Sequence, residues 1–210
     1  MSRQGAPRAG AKLISIIGPV GVGKTTLAER LCEQLPAGLI REDYAGNPFL
    51  TESYVGSARA RLPGQVHFLL SRVAQLSVLS WPAEGLFVSD YGYCQDGVYA
   101  QLRLSEDDLD LYERIAARVA PLVRPPEVVI CLDASVETLL GRIASRGRGH
   151  ERVMDAGFMQ RMRRAYADLR PLLARRMPGG VLDVDCDEVD FNRPADMSQL
   201  LGRIRGKLQS

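Results

Sequence analysis

The chain is poor in lysine, histidine and cysteine, and it has no long hydrophobic run. Its four cysteines lie far apart without a C-x-x-C pair, and two histidines are all that could join them as metal ligands. A zinc site or a disulfide framework is therefore not expected, and buried reduced thiols are favoured. No apolar segment approaches the roughly 20 residues of a membrane span, and none is long enough for a signal-peptide core. The sequence thus predicts a cytoplasmic protein that does not bind membranes.

Composition and charge are those of one globular domain. The 210 residues are 46% hydrophobic and 25% charged, with a formal net charge of +2. Residues 1–10 are small and polar, with glycine and proline among them, so we expect a disordered leader followed by a single domain at 11–210. Arginine is concentrated between residues 142 and 176. Because no aromatic-rich basic strand accompanies it, small phosphates are favoured over nucleic acid as partners.

Short apolar runs alternate with longer amphipathic segments along the chain. Strands that read as short buried runs, separated by helices, indicate a parallel sheet covered on both faces. The expected fold is therefore a three-layer α/β/α arrangement around a five-stranded parallel sheet. The five predicted strands are LISII (13–17), GLI (38–40), LFVS (86–89), VVICL (128–132) and VLDV (181–184).

Residues 18–25 match the phosphate-loop pattern G-x-x-x-x-G-K-[ST], directly after the first predicted strand and before a helical segment. Glycines let the backbone N–H groups turn inward around a phosphate, and the helix N-terminus adds positive charge. Lys24 supplies a full charge to the β- and γ-phosphates, and the Thr25 hydroxyl can bind Mg²⁺. ATP and Mg²⁺ are the expected cofactors. The residues predicted to bind ATP here are Gly18, Gly21, Val22, Gly23, Lys24, Thr25 and Thr26.

Several classes of phosphate-loop protein are excluded by what the chain lacks. A GTPase needs an Asn-Lys-x-Asp signature, yet neither of the two asparagines, Asn47 and Asn192, is followed by lysine. Motor ATPases and helicases are longer. A chain of this length fits a small-molecule kinase in which a short arginine-rich lid closes over ATP.

Further motifs carry a family resemblance that runs from about Leu13 to Asp187. Glu42 is followed five residues later by N-P-F-L, and Tyr54 is followed by Q-x-x-F-L-x-x-R, which begins at Gln65. Two acids, Asp90 and Asp96, lie six residues apart after the third predicted strand. The lid pattern R-I-x-x-R-G-R-x-x-E contains Arg142, Arg146, Gly147, Arg148 and Glu151. In these segments the chain resembles the deoxynucleoside kinase family.

The resemblance implies transfer of the γ-phosphoryl group of Mg-ATP to the 5′-hydroxyl of a deoxynucleoside, with a purine base favoured. It also implies a homodimer, and a loop near the adenine of ATP after the last strand. The implied catalytic residues are Lys24, Glu42, Arg142 and Arg146, and Arg148 joins the two lid arginines on ATP. The implied deoxynucleoside ligands are Glu42, Tyr54, Gln65, Phe68, Arg72, Asp96 and Glu151. Of these, Tyr54 contacts the sugar, Gln65 and the Arg72–Asp96 pair contact the base, and Glu151 accepts the 3′-hydroxyl.

The residues themselves support several of these roles. A carboxylate such as Glu42, at a strand end beside the phosphate loop, is suitably placed as a general base. Asp90 also ends a strand and is expected to hold Mg²⁺ together with Thr25. Arg72 lies seven residues after Gln65 and so shares its helix face. Apart from the resemblance, Glu42 could be a surface acid and Asp90 a cap of the next helix. Arg72 could be solvated and Asp96 a turn residue, and these interpretations stay open at this point.

One position departs from the family pattern. The family has arginine directly after the first acid, where it orients the catalytic glutamate, but this chain has Tyr91. The segment from Asp90 to Ala100 is also one residue shorter. Arg59 or Arg61 could supply the missing charge. The alternatives are a weakly active or inactive nucleotide-binding regulator, and a nucleoside monophosphate kinase such as thymidylate kinase.

Overall fold

The computed structural model describes residues 10–209, without the side chains of His150 and Arg152. The predicted leader at residues 1–10 lies outside the described part, except for Gly10. All five predicted strands are confirmed, and four of them extend one residue beyond the predicted bounds. They are β1 (Lys12–Ile17), β2 (Ala37–Ile40), β3 (Leu86–Ser89), β4 (Val128–Asp133) and β5 (Val181–Asp185).

The strands form one parallel sheet in the order β2-β3-β1-β4-β5. In register, Ile14 of β1 lies opposite Val88 of β3 on one side and Val128 of β4 on the other. All strands therefore end at the same edge, and the chain leaves β1 at the point where the strand order reverses. Ligands of open α/β sheets bind beyond this edge, at such a point.

Helices fill the connections between strands, as parallel pairing requires. Their bounds are α1 (Lys24–Gln34), α2 (Leu50–Val55), α3 (Arg61–Gln75), α4 (Asp96–Arg103), α5 (Glu106–Val119), α6 (Val136–Arg146), α7 (Ala156–Arg176) and α8 (Pro194–Gln209). Short 3₁₀ turns lie at Ala58–Ala60, Tyr93–Gln95, Ala120–Leu122 and Gly149–Val153. Even the longest helix in residues 10–209, the 21-residue α7, lacks an apolar stretch that could cross a membrane.

Successive side chains along each strand point to opposite faces of the sheet, so a core forms on each face. On one face, Ile14 and Ile16 pack with apolar residues of α1, α6 and α8. On the other face, Ile17, Val129 and Cys131 pack with α4 and α7. Two smaller clusters join α3 to β1 and to α4 and α5. The three-layer α/β/α fold is confirmed.

The cysteines occupy two kinds of environment. Cys131 and Cys186 are buried as predicted, and burial raises the pKa of both thiols to about 12. Cys32 and Cys94 are half-buried instead. All four are free thiols.

Candidate active site

A cavity of about 320 Å³ opens at the carboxyl edge of the sheet. The phosphate loop lines one end, and side chains of α2, α3 and α4 line the other. The lid after α6 and the loop after β5 complete the wall. Fifteen of the predicted site residues line it: Gly21, Val22, Gly23, Lys24, Thr25, Thr26, Glu42, Tyr54, Gln65, Phe68, Arg72, Arg142, Arg146, Arg148 and Glu151. Gly18, Asp90 and Asp96 do not line it, but each accepts a hydrogen bond from a residue that does.

The phosphate loop depends on glycine for its backbone path. Gly21 and Gly23 have φ of +82° and +106°, in the left-handed region. A Cβ on Gly21 would also lie 2.8 Å from the main-chain oxygen of Leu139. Any larger residue here would displace the loop from α6. The loop ends at the first turn of α1, whose N-terminal N–H groups face the cavity end where anions are favoured.

Lys24 is buried at the base of this loop. Its ammonium group donates to the main-chain oxygens of Gly18 and Pro19, at 2.8 and 3.0 Å. Burial lowers the pKa of Lys24 to about 8, and the nearby carboxylate of Asp90 opposes that change. The lysine is thus held at the phosphate loop, where an anionic ligand would favour its charged form.

Asp90 connects the phosphate loop to the segment that carries Glu42. Its Oδ2 accepts from the Thr25 hydroxyl at 2.7 Å, and its Oδ1 accepts from the Glu42 N–H at 2.8 Å. Burial raises the pKa of Asp90. A hydroxyl and a carboxylate are the hard oxygen donors that Mg²⁺ accepts, and Mg²⁺ usually completes its shell with waters and phosphate oxygens. The donor set of Thr25 and Asp90 therefore fits this ion.

A buried ion-pair cluster joins Glu42 to Asp96, the first residue of α4. The guanidinium of Arg72 contacts the carboxylates of both Glu42 and Asp96, and all three side chains are at most 5% exposed. Gln65 donates its amide to the Asp96 carboxylate at 2.8 Å and to the Asp96 main-chain oxygen at 3.2 Å. Within the described residues, Asp96 Oδ2 and Arg72 Nε are buried without a hydrogen-bond partner.

The structure resolves which arginine stands near Glu42. Arg59 and Arg61 are exposed and do not line the cavity, and Arg61 donates to the main-chain oxygen of Arg103. The sequence-based suggestion that one of them supplies the missing charge is therefore wrong. Arg72 contacts Glu42 instead, because α3 places it directly beneath that carboxylate.

Tyr91 is fully buried, and it is a core residue. It packs with Leu13, Leu76 and Val123, and its hydroxyl donates to Gln75 at 2.7 Å. Its ring lies 5.5 Å from the Arg72 guanidinium. Tyr91 thus supports Arg72 from outside the cavity.

The lid begins where α6 ends. Gly147 caps the helix with φ of +68°, which turns the chain into the Gly149–Val153 turn. Arg146 donates to both oxygens of the buried Glu151, at 2.6 and 2.7 Å, and Arg148 lies 3.7 Å from the same carboxylate. Arg148 also lies 5.3 Å from the ring of Tyr44 across the cavity.

Arg142 is oriented differently from the other two lid arginines. Its guanidinium donates to the main-chain oxygens of Val22 and Cys186, both at 3.0 Å. It thereby joins the phosphate loop to the segment that follows β5. Arg142 also lines the cavity.

The sequence of this chain matches a known protein family over most of its length. The family model described as "Deoxynucleoside kinase" matches residues 14–205. This chain belongs to the deoxynucleoside kinase family. As a member, it is an ATP-dependent phosphotransferase that acts on deoxynucleosides.

Curated relatives of this deoxynucleoside kinase are similar over most of their length. A deoxyguanosine kinase of Bacillus subtilis (strain 168) is 31% identical over 185 residues, which cover 86% of this chain and 89% of the relative. A deoxyadenosine kinase of Dictyostelium discoideum is 28% identical and covers 90% of this chain and 77% of the relative. A deoxyadenosine/deoxycytidine kinase of Bacillus subtilis is 30% identical over 162 residues, 73% of this chain and 74% of the relative.

Solved structures support the same fold. A deoxyadenosine kinase from M. mycoides, described with products dCMP and a flexible dCDP bound, superposes with a TM-score of 0.79. It covers 92% of this deoxynucleoside kinase and 98% of the other chain, at 20% identity. The same kinase with bound dATP gives a TM-score of 0.78.

Eight cavity residues lie outside the sequence motifs: Tyr44, Tyr99, Arg103, Met154, Val189, Asp190, Phe191 and Asn192. On α4, Tyr99 lies three residues after Asp96, and Arg103 lies four residues after Tyr99, so the three share one helix face. This periodicity is the signal that could have found Tyr99 and Arg103. The guanidinium of Arg103 lies 3.7 Å from the ring of Tyr54. The loop after β5 was expected near the adenine, and there Phe191 packs beside Gly23.

Proposed function

We propose that this deoxynucleoside kinase prefers a purine deoxynucleoside, and that the residues lining the cavity bind and activate both substrates. One observation carries the proposal. A single continuous cavity joins the phosphate loop to Glu42 and to the buried polar cluster of Gln65, Arg72 and Asp96. A phosphoryl donor at one end and a nucleoside at the other would meet in front of Glu42.

At the donor end, backbone N–H groups from Gly21 to Thr26 bind the ATP phosphates, and Lys24 neutralises their charge. Thr25 and Asp90 would hold Mg²⁺, which would neutralise charge on the ATP phosphates. Arg146 and Arg148 approach from the lid, and planar guanidinium groups fit phosphate oxygens. Arg142 holds the loop against the segment after β5, as its two main-chain contacts indicate.

At the centre, Glu42 accepts the proton of the 5′-hydroxyl as that oxygen attacks the γ-phosphorus. The new bond is the one from the 5′-oxygen to phosphorus, and the bond that breaks joins the γ-phosphorus to the departing ADP oxygen. Glu42 suits this role because its side chain is 5% exposed and its main chain is held by Asp90. A fixed carboxylate within reach of the nucleophile is what general-base catalysis requires.

At the acceptor end, Tyr54 and Phe68 provide apolar walls, and Gln65, Arg72 and Asp96 read the base. The buried Asp96 Oδ2 has no hydrogen-bond partner among the described residues, and it lies behind the cavity-lining Gln65 and Arg72. An exocyclic amino group that reaches this oxygen would find a free acceptor there. Adenine, guanine and cytosine carry such a group and thymine does not. Purine preference is supported by two relatives, which are named as a deoxyguanosine kinase and a deoxyadenosine kinase. The third is named for both deoxyadenosine and deoxycytidine.

The test is a product assay with Mg-ATP and each of the four deoxynucleosides separately. We expect 5′-monophosphate from deoxyadenosine or deoxyguanosine with a kcat/KM at least about tenfold above that for deoxycytidine, and thymidine last. A ranking led by thymidine would contradict the base assignment. No product from any deoxynucleoside would overturn the function itself and favour a nucleotide-binding regulator.

Two further properties are proposed, the first on the family resemblance and the second on the composition of the sequence. The chain forms a homodimer, which light scattering would detect as a particle of twice the chain mass. It works in the cytoplasm, without a membrane or nucleic-acid partner.

A further inference from the structure

One arginine lies between the two chemically distinct ends of the acceptor site. Arg72 contacts Glu42 through Nη2 and Asp96 through Nη1. Glu42 belongs to the segment after β2, beside the phosphate loop, whereas Asp96 opens α4 at the base-binding end. The two carboxylates are thus connected by the rigid fork of one planar guanidinium.

The surroundings restrict where this guanidinium can lie. It stacks against the rings of Phe68 and Tyr91, at 5.4 and 5.5 Å from their centroids. Tyr91 is itself fixed by its hydrogen bond to Gln75, one turn beyond Arg72 on the same helix. Asp96 is fixed by Gln65. A group so packed has few alternative rotamers, so its two contacts are preorganised.

We propose that Arg72 is the positioning residue for Glu42 in this chain, and that it couples the orientation of the proton-accepting carboxylate to the base-binding end. The proposal rests on the proposed function of Glu42. It follows from the cluster geometry, in which Arg72 is the cation that contacts Glu42 while Tyr91 supports it from the core. A change at the base-binding end then alters turnover as well as affinity.

The experiment is a double-mutant cycle of Arg72→Lys and Glu42→Gln, measured as kcat and KM for the preferred deoxynucleoside. Lysine keeps the charge but replaces the fork with a single nitrogen atom, which cannot bridge both carboxylates in the same way. Arg72→Lys alone should lower kcat roughly 10²-fold, the size expected for a misplaced catalytic group. In the Glu42→Gln background it should change kcat less than about threefold, since groups that act as a unit are not additive.

The change in KM separates positioning from mere structural support. Arg72→Lys should raise KM for the deoxynucleoside in both backgrounds, because its contact with Asp96 does not pass through Glu42. The matched control is Arg114→Lys on α5, an exposed arginine with a side chain 75% exposed, which should leave kcat and KM unchanged.

Three results would contradict the coupling. Multiplicative kcat losses in the cycle would show that Arg72 does not act through Glu42, and an unchanged kcat in Arg72→Lys would show that the fork is dispensable. If Glu42→Gln keeps full turnover, the role of Glu42 fails and the coupling fails with it, whereas an inert wild type would overturn the proposed function first. If Arg72→Lys does not fold, the double variant Arg72→Met with Asp96→Asn takes its place in the cycle. It removes the charge of Arg72 together with that of its partner Asp96.

Discussion

At the scale of single residues, the site is marked by charged side chains that are buried. Lys24, Arg72, Asp90, Asp96 and Glu151 are each at most 7% exposed. Isolated charges at such depth are costly, so each is held by an ion pair or by several hydrogen bonds. All five lie in or beside one cavity.

Lys24 makes ATP affinity dependent on pH. Because its pKa is lowered to about 8 in the free protein, the ammonium loses its proton as pH rises through that value. Bound phosphates favour the charged form, so binding above pH 8 must take up a proton and becomes weaker. Between pH 7 and 9 the Kd for ATP should rise about tenfold.

Calorimetric titration at the two pH values would measure this change in the wild type and in Lys24→Met. The variant should bind ATP more weakly at pH 7 and lose most of the pH dependence. Lys207→Met, on α8 far from the cavity, is the matched control. An equally steep dependence in Lys24→Met would assign the titration to another group.

Tyr91 is the position where this sequence departs from the family pattern. Tyr91→Arg would place a second cation in an apolar cluster, beside Arg72 and without a carboxylate of its own. We expect it to destabilise the fold by about 3 kcal/mol or more and to bring no gain in kcat/KM. Tyr91→Phe keeps the ring and loses one hydrogen bond to Gln75, a cost of about 1 kcal/mol.

Urea unfolding and steady-state kinetics of the two variants test this expectation. A stable Tyr91→Arg protein with higher turnover would show that the wild type lacks a cation that its relatives have. That result would also favour the reading of the chain as a weakly active kinase.

At the scale of elements, the lid consists of the C-terminal end of α6 and the turn after it, where two arginines contact the carboxylate of Glu151. Ser135 caps the start of α6, and Gly147 ends it with a left-handed turn. The turn brings Arg146 and Arg148 onto Glu151, whose side chain is 4% exposed. The lid is therefore held by charge pairing around a buried acid that also lines the acceptor end of the cavity.

Glu151 should determine how strongly the kinase requires a 3′-hydroxyl. If its carboxylate accepts that hydroxyl, the wild type should prefer a deoxynucleoside over the matching 2′,3′-dideoxynucleoside by about 10-fold to 100-fold in kcat/KM. Glu151→Gln should remove most of this preference, mainly by losing activity on the deoxynucleoside. The control is Glu137→Gln at an exposed position of α6. An unchanged preference in Glu151→Gln would make the acid a structural partner of the lid arginines only.

At the scale of the whole molecule, the cavity is assembled from segments between Val20 and Asn192. The sheet brings these segments together, because every parallel strand ends at the same edge and the loop that follows it begins there. The two cores on either face hold the strands in register. A ligand that spans the cavity therefore contacts loops from both halves of the chain, and its binding stabilises the fold as a unit.

Much of this was determined by the sequence alone. Buried apolar runs specify the strands. The phosphate loop is formed by residues that are adjacent in the sequence, so the spacing from Gly18 to Thr25 is enough to predict it. The N-P-F-L, Q-x-x-F-L-x-x-R and lid patterns led to the deoxynucleoside kinase family for the same reason. Each is a contiguous motif whose chemistry is carried by residues a few positions apart.

Tertiary structure alone decided which side chains meet. Arg72 and Glu42 are 30 residues apart, and no local pattern states that one guanidinium contacts both Glu42 and Asp96. The inward direction of Tyr91, the exposure of Arg59 and the main-chain contacts of Arg142 likewise depend on how helices pack against the sheet. Contacts between distant segments are fixed by packing of the two cores, and packing is a property of the whole chain.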